Sequence, residues 1–402
     1  MKKLLVLILA ALMLFVACGK KAETPTETSI IEFEEIEVPT IAPTPLPTPE
    51  PTPEPTPEPT PEPDPIQQII NGMSDRELIG QMVMCGFTGL NSVPQEFKDF
   101  MAEYSLGNII LFSWNIETDN QTRKLTAILE ENNPFPELPL IISTDVEGGS
   151  VRRYESWKPN ISSAKTLYQR DDLEATFEQY QRIAERLTGD GINMNLAPVL
   201  DISKNQDSTF LGKRIFGKDP EKVSEHAVQA ILGTQAGGAL SVGKHYPGHG
   251  GTATDSHAST PVIDKGLSEL LSYDLIPFKN AVDAGIDGML VGHILFPNID
   301  SEVSSVSYTF ITEILREEFG FDGMVMSDDM RMGGITKHMS CGEAAVRFVE
   351  AGGDMVLIGK YLEKQTDVFE SLYEALESGR LTRERLEESV YRIIRLKQKV
   401  AV

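Results

Sequence analysis

Residues 244–257, which read KHYPGHGGTATDSH, bring together side chains that can transfer protons, bind metal or act as nucleophiles. Three of the chain's six histidines lie here, with Lys244 and Asp255. Glycines and a proline predict that the stretch is a loop following a buried strand. Three kinds of chemistry fit it: a metal site on the histidines, a Schiff base on Lys244, or proton transfer by His257 oriented by Asp255. The loop alone leaves all three open.

The elements that position this loop are predicted from the alternation of short apolar runs with amphipathic stretches. Eight unalternating runs are typical of parallel strands buried on both faces, and most are separated by helical patterns. The repeat favours an α/β fold of the (β/α)8 TIM-barrel type, with a doubly wound open sheet as the alternative. The predicted strands are 81–86, 108–112, 140–145, 193–198, 241–245, 288–292, 324–328 and 355–359. The predicted helices are 94–104, 118–131, 173–188, 220–235, 267–284, 310–318, 342–351 and 382–400.

Polar side chains follow five of these strands at the point where each ends. In a barrel the carboxyl ends of all strands meet at one face, which is where the chemistry of this fold takes place. We therefore expect these residues to surround one site. They are Asp145 and Glu147, Asn195 and Asp201, Lys244 and His245, His293, and Ser327 to Asp329.

Asp328 stands at the mouth of the seventh predicted strand, where a carboxylate can attack an electrophilic carbon or stabilise an oxocarbenium-like centre. The alternative is that Asp328 or Asp329 caps the next helix. A glycosidase also needs a proton donor, and His257 held by Asp255 could take the place of the usual second carboxylic acid. The alternative for His257 is a surface histidine without a function.

Residues 244–257 resemble the signature of glycoside hydrolase family 3 β-N-acetylglucosaminidases: Lys-His, an aromatic residue, Pro-Gly-His-Gly, four variable residues, Asp, a small hydroxyl residue and His. Three more segments resemble the same family in order and spacing. The similarity extends from about Leu78 to Lys360, although Ser150 stands where an arginine is common. The three segments are 144–153 (TDVEGGSVRR), 211–220 (LGKRIFGKDP) and 326–330 (MSDDM).

The resemblance implies that Asp328 is the nucleophile and that His257 is the acid/base, assisted by Asp255. It also implies that five side chains grip the sugar: Asp145, Arg153, Arg214, Lys244 and His245. For the two arginines the alternative is a salt bridge that braces the loops. No cofactor and no metal are expected. Many members of the family carry a second domain, which we expect this chain to lack.

The first 65 residues have a different composition. Residues 1–17 resemble a bacterial lipoprotein signal peptide, which implies lipidation of Cys18; an ordinary signal or an uncleaved anchor is the alternative. Residues 18–65 predict a disordered, acidic tether rich in Pro, Thr and Glu, and its extended stretch from residue 43 would span roughly 70 Å. Residues 22–65 carry eleven Asp or Glu and no Lys or Arg. The catalytic domain is therefore predicted over residues 66–402.

Together these features predict an extracytoplasmic, lipid-anchored, exo-acting β-N-acetylglucosaminidase with a retaining mechanism. Its expected partners are the membrane, through the lipid, and oligosaccharides or muropeptides that contain N-acetylglucosamine. A phosphorylase acting on the same bond and a non-catalytic sugar-binding lipoprotein remain alternatives. The net charge of −24 argues against a nucleic-acid partner. Cys85 and Cys341, the only cysteines besides Cys18, do not form a disulfide framework.

Overall fold

The computed structural model describes residues 64–204 and 209–400. The predicted signal peptide at 1–17, the lipidation site Cys18 and the tether up to residue 63 lie outside the described residues. Within the described ranges, no helix combines the length and the apolar character needed to cross a membrane.

Eight parallel strands form the centre of the fold, and all of their residues are buried. They are β1 (Val83–Gly86), β2 (Asn108–Ile110), β3 (Ile141–Thr144), β4 (Met194–Asn195), β5 (Leu240–Tyr246), β6 (Gly288–Val291), β7 (Met324–Ser327) and β8 (Val356–Ile358). The order in the sheet is β7-β6-β5-β4-β3-β2-β1-β8. Burial on both faces explains why these strands are apolar without alternation.

The sheet closes between β7 and β8. Met326 forms a parallel bridge with Met355, just before β8. The backbone N–H of Ser327 donates to the carbonyl of Met355 at 2.9 Å, and the N–H of Leu357 donates to the Ser327 hydroxyl at 3.0 Å. The predicted (β/α)8 barrel is therefore confirmed, and the open sheet is excluded.

Helices surround the barrel, joined by shorter helical turns. They are α1 (Pro65–Asn71), α2 (Asp75–Met82), α3 (Gln95–Glu103), α4 (Asp119–Glu131), α5 (Ala164–Arg170), α6 (Leu173–Gly189), α7 (Pro220–Ala236), α8 (Leu267–Glu269), α9 (Ile276–Asp283), α10 (Gly333–Thr336), α11 (Cys341–Glu350), α12 (Leu362–Glu377) and α13 (Arg383–Val400). Two segments are π-helical, Leu270–Asp274 and Thr309–Glu318. Within residues 64–204 and 209–400, single 3₁₀-helical turns are formed by Gly212–Arg214 and Ser304–Val306.

The structure corrects several of the predicted elements, among them the following. The strand predicted from residue 81 begins at Val83, because α2 continues to Met82 from a capping box in which Ser74 and Glu77 exchange hydrogen bonds. The helix predicted over 267–284 is interrupted by the π-helical segment Leu270–Asp274. Helix α12, which follows β8, was not predicted.

Candidate active site

Five charged side chains meet at the mouth of the barrel and form what we call the buried charge cluster: Asp145, Glu147, Arg153, Arg214 and Lys244. The Lys244 ammonium lies 2.6 Å from Asp145 Oδ1 and 2.7 Å from Glu147 Oε1. Arg153 pairs with the second oxygen of Asp145. Arg214 forks onto Glu147, with Nε 2.7 Å from Oε2 and Nη2 2.9 Å from Oε1. Each carboxylate therefore has two cationic partners.

These pairings keep both carboxylates ionised. Burial alone would raise the pKa of Glu147, but Lys244 and Arg214 outweigh it and lower that pKa to about 2. The pKa of Asp145 is likewise held below its usual range by Lys244 and Arg153, against the effect of burial. Because three cations face two anions, the cluster has an excess of one positive charge and many donors aimed at the pocket.

The loop after β3 positions Asp145, Glu147 and Arg153. It turns sharply at Gly148, whose φ of +97° favours glycine. A Cβ at Gly148 would also lie 2.2 Å from the carbonyl oxygen of Ser162. The turn closes when the N–H of Glu147 donates to the carbonyl of Val151 at 2.9 Å, which brings Arg153 back over Asp145.

His245 is held by Asp201, a fully buried carboxylate in the loop after β4. Nδ1 of His245 lies 2.6 Å from Asp201 Oδ2, and the same oxygen accepts the backbone N–H of His245 at 3.1 Å. Burial would raise the pKa of Asp201, but the contacts with His245 and His249 lower it. An ionised Asp201 only accepts hydrogen bonds, so Nδ1 of His245 carries the proton and donates it to Asp201. Nε2 is then unprotonated and accepts a hydrogen bond from Arg214 Nη2 at 3.3 Å.

Asp328 follows β7 and lies in the same pocket. Its backbone N–H donates to the carbonyl of Val291 at 2.9 Å, and its Oδ1 accepts the N–H of Asp329 at 2.8 Å. Beneath it, the buried His293 connects the Ser305 hydroxyl, at 2.7 Å, with the carbonyl of Asp329, at 3.1 Å. Asp328 is therefore fixed through its backbone, and no cation pairs with its carboxylate among the described residues.

Asp329, the neighbouring carboxylate, braces loops. It forms an ion pair with Arg331 and accepts the backbone N–H groups of Arg331 at 3.0 Å and Gly359 at 3.2 Å. The short helix α10 has Met332 at its N-cap, and no side chain caps it. Neither aspartate caps that helix, so the alternative considered for them from the sequence is wrong.

Asp255 and His257 form a pair on the loop after β5. His257 Nδ1 lies 2.8 Å from Asp255 Oδ1, which also accepts the His257 backbone N–H at 2.9 Å. The side chains are 69% exposed for His257 and 48% exposed for Asp255. Burial acts to raise the pKa of Asp255, but the hydrogen bonds from His257 lower it. The pair is attached to the barrel by backbone contacts: the N–H of Gly333 donates to the carbonyl of His257 at 3.0 Å.

One pocket of about 190 Å³ unites these groups. Pockets that bind drug-sized molecules have volumes of about 300 to 1,000 Å³. The smaller volume of this pocket suits a ligand group of one small ring. Asp255 alone among the eight predicted catalytic and substrate-binding residues does not line the pocket, and it reaches the site through His257. The predicted residues that line it are Asp145, Arg153, Arg214, Lys244, His245, His257 and Asp328.

The three histidines of the loop point to different partners. His245 contacts Asp201, His257 contacts Asp255, and the His249 ring packs edge-on against Phe210 at 4.6 Å between centroids. Throughout residues 64–204 and 209–400, no three His, Cys, Asp or Glu side chains are grouped in a way that could hold a metal ion. Lys244 holds two carboxylates, which suits a binding ammonium better than an amine nucleophile. Of the three kinds of chemistry left open by the loop, proton transfer fits this geometry.

Two site residues had no predicted role. Glu147 completes the pairing of Lys244 and Arg214, and Asp201 sets the orientation of His245. Both follow predicted strands in the sequence, which placed them at the mouth of the barrel. Their partners lie 67 or 97 residues away for Glu147 and 44 residues away for Asp201, so spacing could not reveal the contacts.

A closed parallel barrel with a carboxylate and an Asp-His pair at the carboxyl ends of its strands defines a (β/α)8 protein with a glycosidase-like site. Residues 75–396 match the family described as glycosyl hydrolase family 3 N terminal domain. The match covers most of the chain, and the protein therefore belongs to this family.

Similar proteins include a beta-hexosaminidase of Nitrosomonas eutropha, 30% identical over 300 residues that cover 72% of this chain and 85% of that protein. Beta-hexosaminidase A of Pseudoalteromonas piscicida is 29% identical over 369 residues, 82% of this chain but 62% of that protein. Among solved structures, a glycoside hydrolase family 3 beta-N-acetylglucosaminidase from a Paenibacillus species matches with a TM-score of 0.79 and 35% identity, over 82% of this chain and 63% of that one. The chain thus spans less than two thirds of two of these proteins.

Proposed function

We propose that this protein is an exo-acting, retaining β-N-acetylglucosaminidase that hydrolyses terminal, non-reducing β-linked N-acetylglucosamine. The observation that supports this most is that Asp328 and the Asp255–His257 pair face one small pocket lined by the buried charge cluster. A nucleophile and a proton donor on one pocket are what a two-step displacement requires. The choice of N-acetylglucosamine rests on the names of the similar proteins.

In the first step, a carboxylate oxygen of Asp328 attacks the anomeric carbon and forms a glycosyl ester. The glycosidic C–O bond breaks, and its electron pair goes to the leaving oxygen, which takes a proton from His257 Nε2. Since Nδ1 of His257 faces Asp255, Nε2 is the nitrogen available for transfer. The carboxylate of Asp255 stabilises the imidazolium before the proton leaves.

In the second step, neutral His257 takes a proton from water through Nε2. The resulting hydroxide-like oxygen attacks the anomeric carbon, and the ester bond to Asp328 breaks to restore the carboxylate. Two inversions at one carbon leave the β configuration in the product. The loop carrying His257 is exposed and rich in glycine, which suits a donor that approaches and withdraws.

The buried charge cluster and His245 hold the sugar in this scheme. Carboxylates accept hydrogen bonds from sugar hydroxyls, and arginine forks donate to oxygens in fixed directions. A small pocket accepts one terminal sugar and leaves the rest of the substrate outside, which corresponds to exo action.

The remaining parts of the proposal concern location and source of substrate. Residues 1–17 and Cys18 support an extracytoplasmic protein anchored by lipid, and residues 18–65 would be its tether. Peptidoglycan fragments, in which N-acetylglucosamine is linked to N-acetylmuramic acid, are the substrates that such a location favours. Labelling of Cys18 with a radioactive fatty acid in cells tests the anchor, and a Cys18→Ser protein that is still labelled would contradict it.

The activity is tested with p-nitrophenyl β-N-acetylglucosaminide and the full-length protein, with and without phosphate. Free N-acetylglucosamine released first as the β anomer, at a rate independent of phosphate, supports the proposal. A 1-phosphate product formed only with phosphate would instead identify a phosphorylase. No product under either condition would favour the sugar-binding lipoprotein.

We expect Asp328→Ala to lower kcat by roughly 10⁴-fold or more, as loss of a catalytic nucleophile does elsewhere. Asp283→Ala is the matched control, because Asp283 is an exposed aspartate of α9 whose one ion pair among the described residues is with Lys279. Equal rates for both variants would remove Asp328 from the nucleophile role.

A further inference from the structure

Two large aromatic side chains are exposed at the mouth of the barrel, beside the proposed active site. Trp114 follows β2 and is 38% exposed, and Tyr361 follows β8 and is 58% exposed. Strands β2 and β8 flank β1, so the two side chains lie on the same side of the mouth. Exposed aromatic surface at a pocket rim is a common sign of a binding surface.

Trp114 contacts one residue that lines the catalytic pocket and one that lines a second cavity. Its ring stacks on Phe112 at 4.6 Å between centroids with a 23° interplanar angle, and Phe112 lines the catalytic pocket. On its other side, the indole N–H donates to the carbonyl of Phe87 at 2.9 Å. Phe87 lines the second cavity, which has a volume of about 470 Å³. The indole is therefore held in place while part of its ring stays open to solvent.

Lys360 lies above both rings and also lines the second cavity. Its ammonium is 4.7 Å from the centroid of Trp114 and 5.3 Å from that of Tyr361. Within the described residues, Lys360 forms neither a hydrogen bond nor an ion pair, whereas nearby Arg331 is paired with Asp329. Aromatic faces orient a cation without neutralising it, so the charge of Lys360 is available to a ligand.

Tyr361 is held in a backbone conformation that most residues avoid. Its φ is +84° and its ψ is +98°, in a region that is costly for a residue with a Cβ. Such strain, when it persists, is concentrated at functional sites. The Tyr361 carbonyl accepts the N–H groups of Lys364 at 2.9 Å and Gln365 at 3.2 Å at the start of α12, and the Tyr361 side chain is exposed at the rim.

We propose that Trp114, Lys360 and Tyr361 form a second subsite, which binds the leaving part of the substrate and selects a sugar that carries a carboxylate. The sugar ring contacts the part of the indole that stays open to solvent, and the carboxylate pairs with the Lys360 ammonium. This inference rests on the proposed glycosidase activity and adds to it the residues that recognise the leaving group.

The test compares two disaccharides that differ in one charge: N-acetylglucosamine linked to N-acetylmuramic acid, and the same compound with its carboxylate converted to the carboxamide. For the full-length wild-type protein, kcat/KM for the acid should exceed that for the amide by roughly fivefold, the size expected of a partly exposed ion pair. Lys360→Gln should bring the ratio close to one. Lys360→Arg, which keeps the charge, should restore most of it.

Lys364→Gln is the matched control, since Lys364 is an exposed lysine one turn further along and lies over neither ring. It should keep the wild-type ratio. Trp114→Ala should raise KM for both disaccharides by roughly two- to tenfold, the range expected for a lost aromatic contact. Its effect should be smaller on the methyl β-glycoside, which has no second ring.

A wild-type protein that hydrolyses the nitrophenyl glycoside but shows a ratio of one would overturn the subsite and leave the proposed activity standing. Equal losses of the ratio in Lys360→Gln and Lys364→Gln would also overturn it, because the preference would then reflect overall charge. A wild-type protein that hydrolyses none of the substrates would overturn both proposals.

Discussion

The two parts of the proposed site differ in how firmly the protein holds them. In the buried charge cluster, Lys244 is 3% exposed and contacts two carboxylates, each of which has a second cation. On the loop after β5, His257 is mostly exposed, and Asp255 is the only side chain with which it forms a hydrogen bond or ion pair among the described residues. The buried charge cluster is fixed by several ion pairs among its members, whereas the Asp255–His257 pair is joined to the rest of the site mainly through the backbone of its loop.

This difference corresponds to two different roles: the cluster would bind the sugar, and the Asp255–His257 pair would transfer protons. A buried charge whose partner is removed costs several kcal/mol, so each member of the cluster also contributes to the stability of the fold. An exposed pair contributes little to stability, with a typical value of about 0–1 kcal/mol. Function alone therefore explains an exposed Asp-His pair at this position, whereas the cluster would be needed even in a protein that only binds sugar.

Between the two parts of the site, the larger loss of activity at unchanged stability should come from removing the exposed imidazole. His257→Ala should lower kcat by roughly 10² to 10⁴-fold, the range for loss of a general acid–base group. The loss should be greater for a sugar leaving group, which needs a proton, than for p-nitrophenolate, which does not. Unfolding in urea should show a free energy within about 0.5 kcal/mol of the wild type.

The matched control for His257→Ala is His338→Ala, which removes another exposed histidine near the mouth. His338 contacts the Thr260 hydroxyl at 2.8 Å and does not line the pocket. If His257→Ala lowered the free energy of unfolding by several kcal/mol, the comparison would fail. The loop would then contribute to stability as the buried charge cluster does.

For the buried charge cluster, in contrast, we expect a substitution to cause a large loss of stability. Lys244→Met should lower the free energy of unfolding by about 3–5 kcal/mol, because it leaves Asp145 and Glu147 buried with one cation each. Urea unfolding followed by circular dichroism measures this loss. Lys279→Met, at an exposed ion pair on α9, should cost less than about 1 kcal/mol. Equal costs at the two sites would show that the cluster is not a stabilising unit.

The pH dependence of stability should also distinguish the two parts. The pKa of Glu147 is about 2 in the folded protein against an ordinary 4.5, so its stabilising contribution is complete above pH 4.5. It is lost as the pH falls from there towards 2, because the unfolded state binds the proton first. The urea midpoint of the wild type should therefore fall across this window.

Two variants sharpen this pH measurement. Glu147→Gln removes the titrating group and should show a shallower fall of the midpoint between pH 4.5 and 2. Asp255→Asn removes a carboxylate that is about half exposed and contributes little to stability, so it should change the slope far less than Glu147→Gln does. If Asp255→Asn flattens the curve as much as Glu147→Gln does, the exposed pair stabilises the fold and the comparison fails.

The sequence predicted the barrel well because most strands lie in short apolar runs, and each of the eight predicted runs overlaps a strand. Closure of a parallel barrel then places Asp145, Lys244 and Asp328 at one end without further information. Helix α2 was missed because its apolar residues continue into β1, although the capping box from Ser74 to Glu77 could have revealed it. The start of a helix is marked in the sequence by only a few residues, so it is harder to predict than an apolar run.

Contacts between loops could not be predicted in this way. Whether a charged residue at a strand end pairs with a neighbour or faces the pocket depends on how several loops meet. Asp201 illustrates the point: nothing in its local sequence indicates that it holds His245, 44 residues further along the chain. The resemblance to a family indicated residues that are expected to contact the sugar, but not the residue that orients one of them.

The smallest expected effect tests this orienting role. Asp201→Asn keeps the size of the side chain but replaces an acceptor oxygen with an amide that cannot accept the N–H groups of both His245 and His249. The imidazole of His245 then loses its fixed tautomer, and kcat/KM should fall about tenfold, the equivalent of one charge-assisted hydrogen bond.

The matched control is Asp190→Asn, since Asp190 is also buried but precedes β4 at the opposite end of the barrel, where it accepts the Tyr154 hydroxyl at 2.8 Å. Both variants should lose stability, but only Asp201→Asn should lose kcat/KM, and a ¹⁵N spectrum of the histidines should show a changed tautomer for that variant alone. If Asp190→Asn lowers kcat/KM as much as Asp201→Asn does, Asp201 acts only through the stability of the barrel. The orientation of His245 would then not depend on its contact with Asp201.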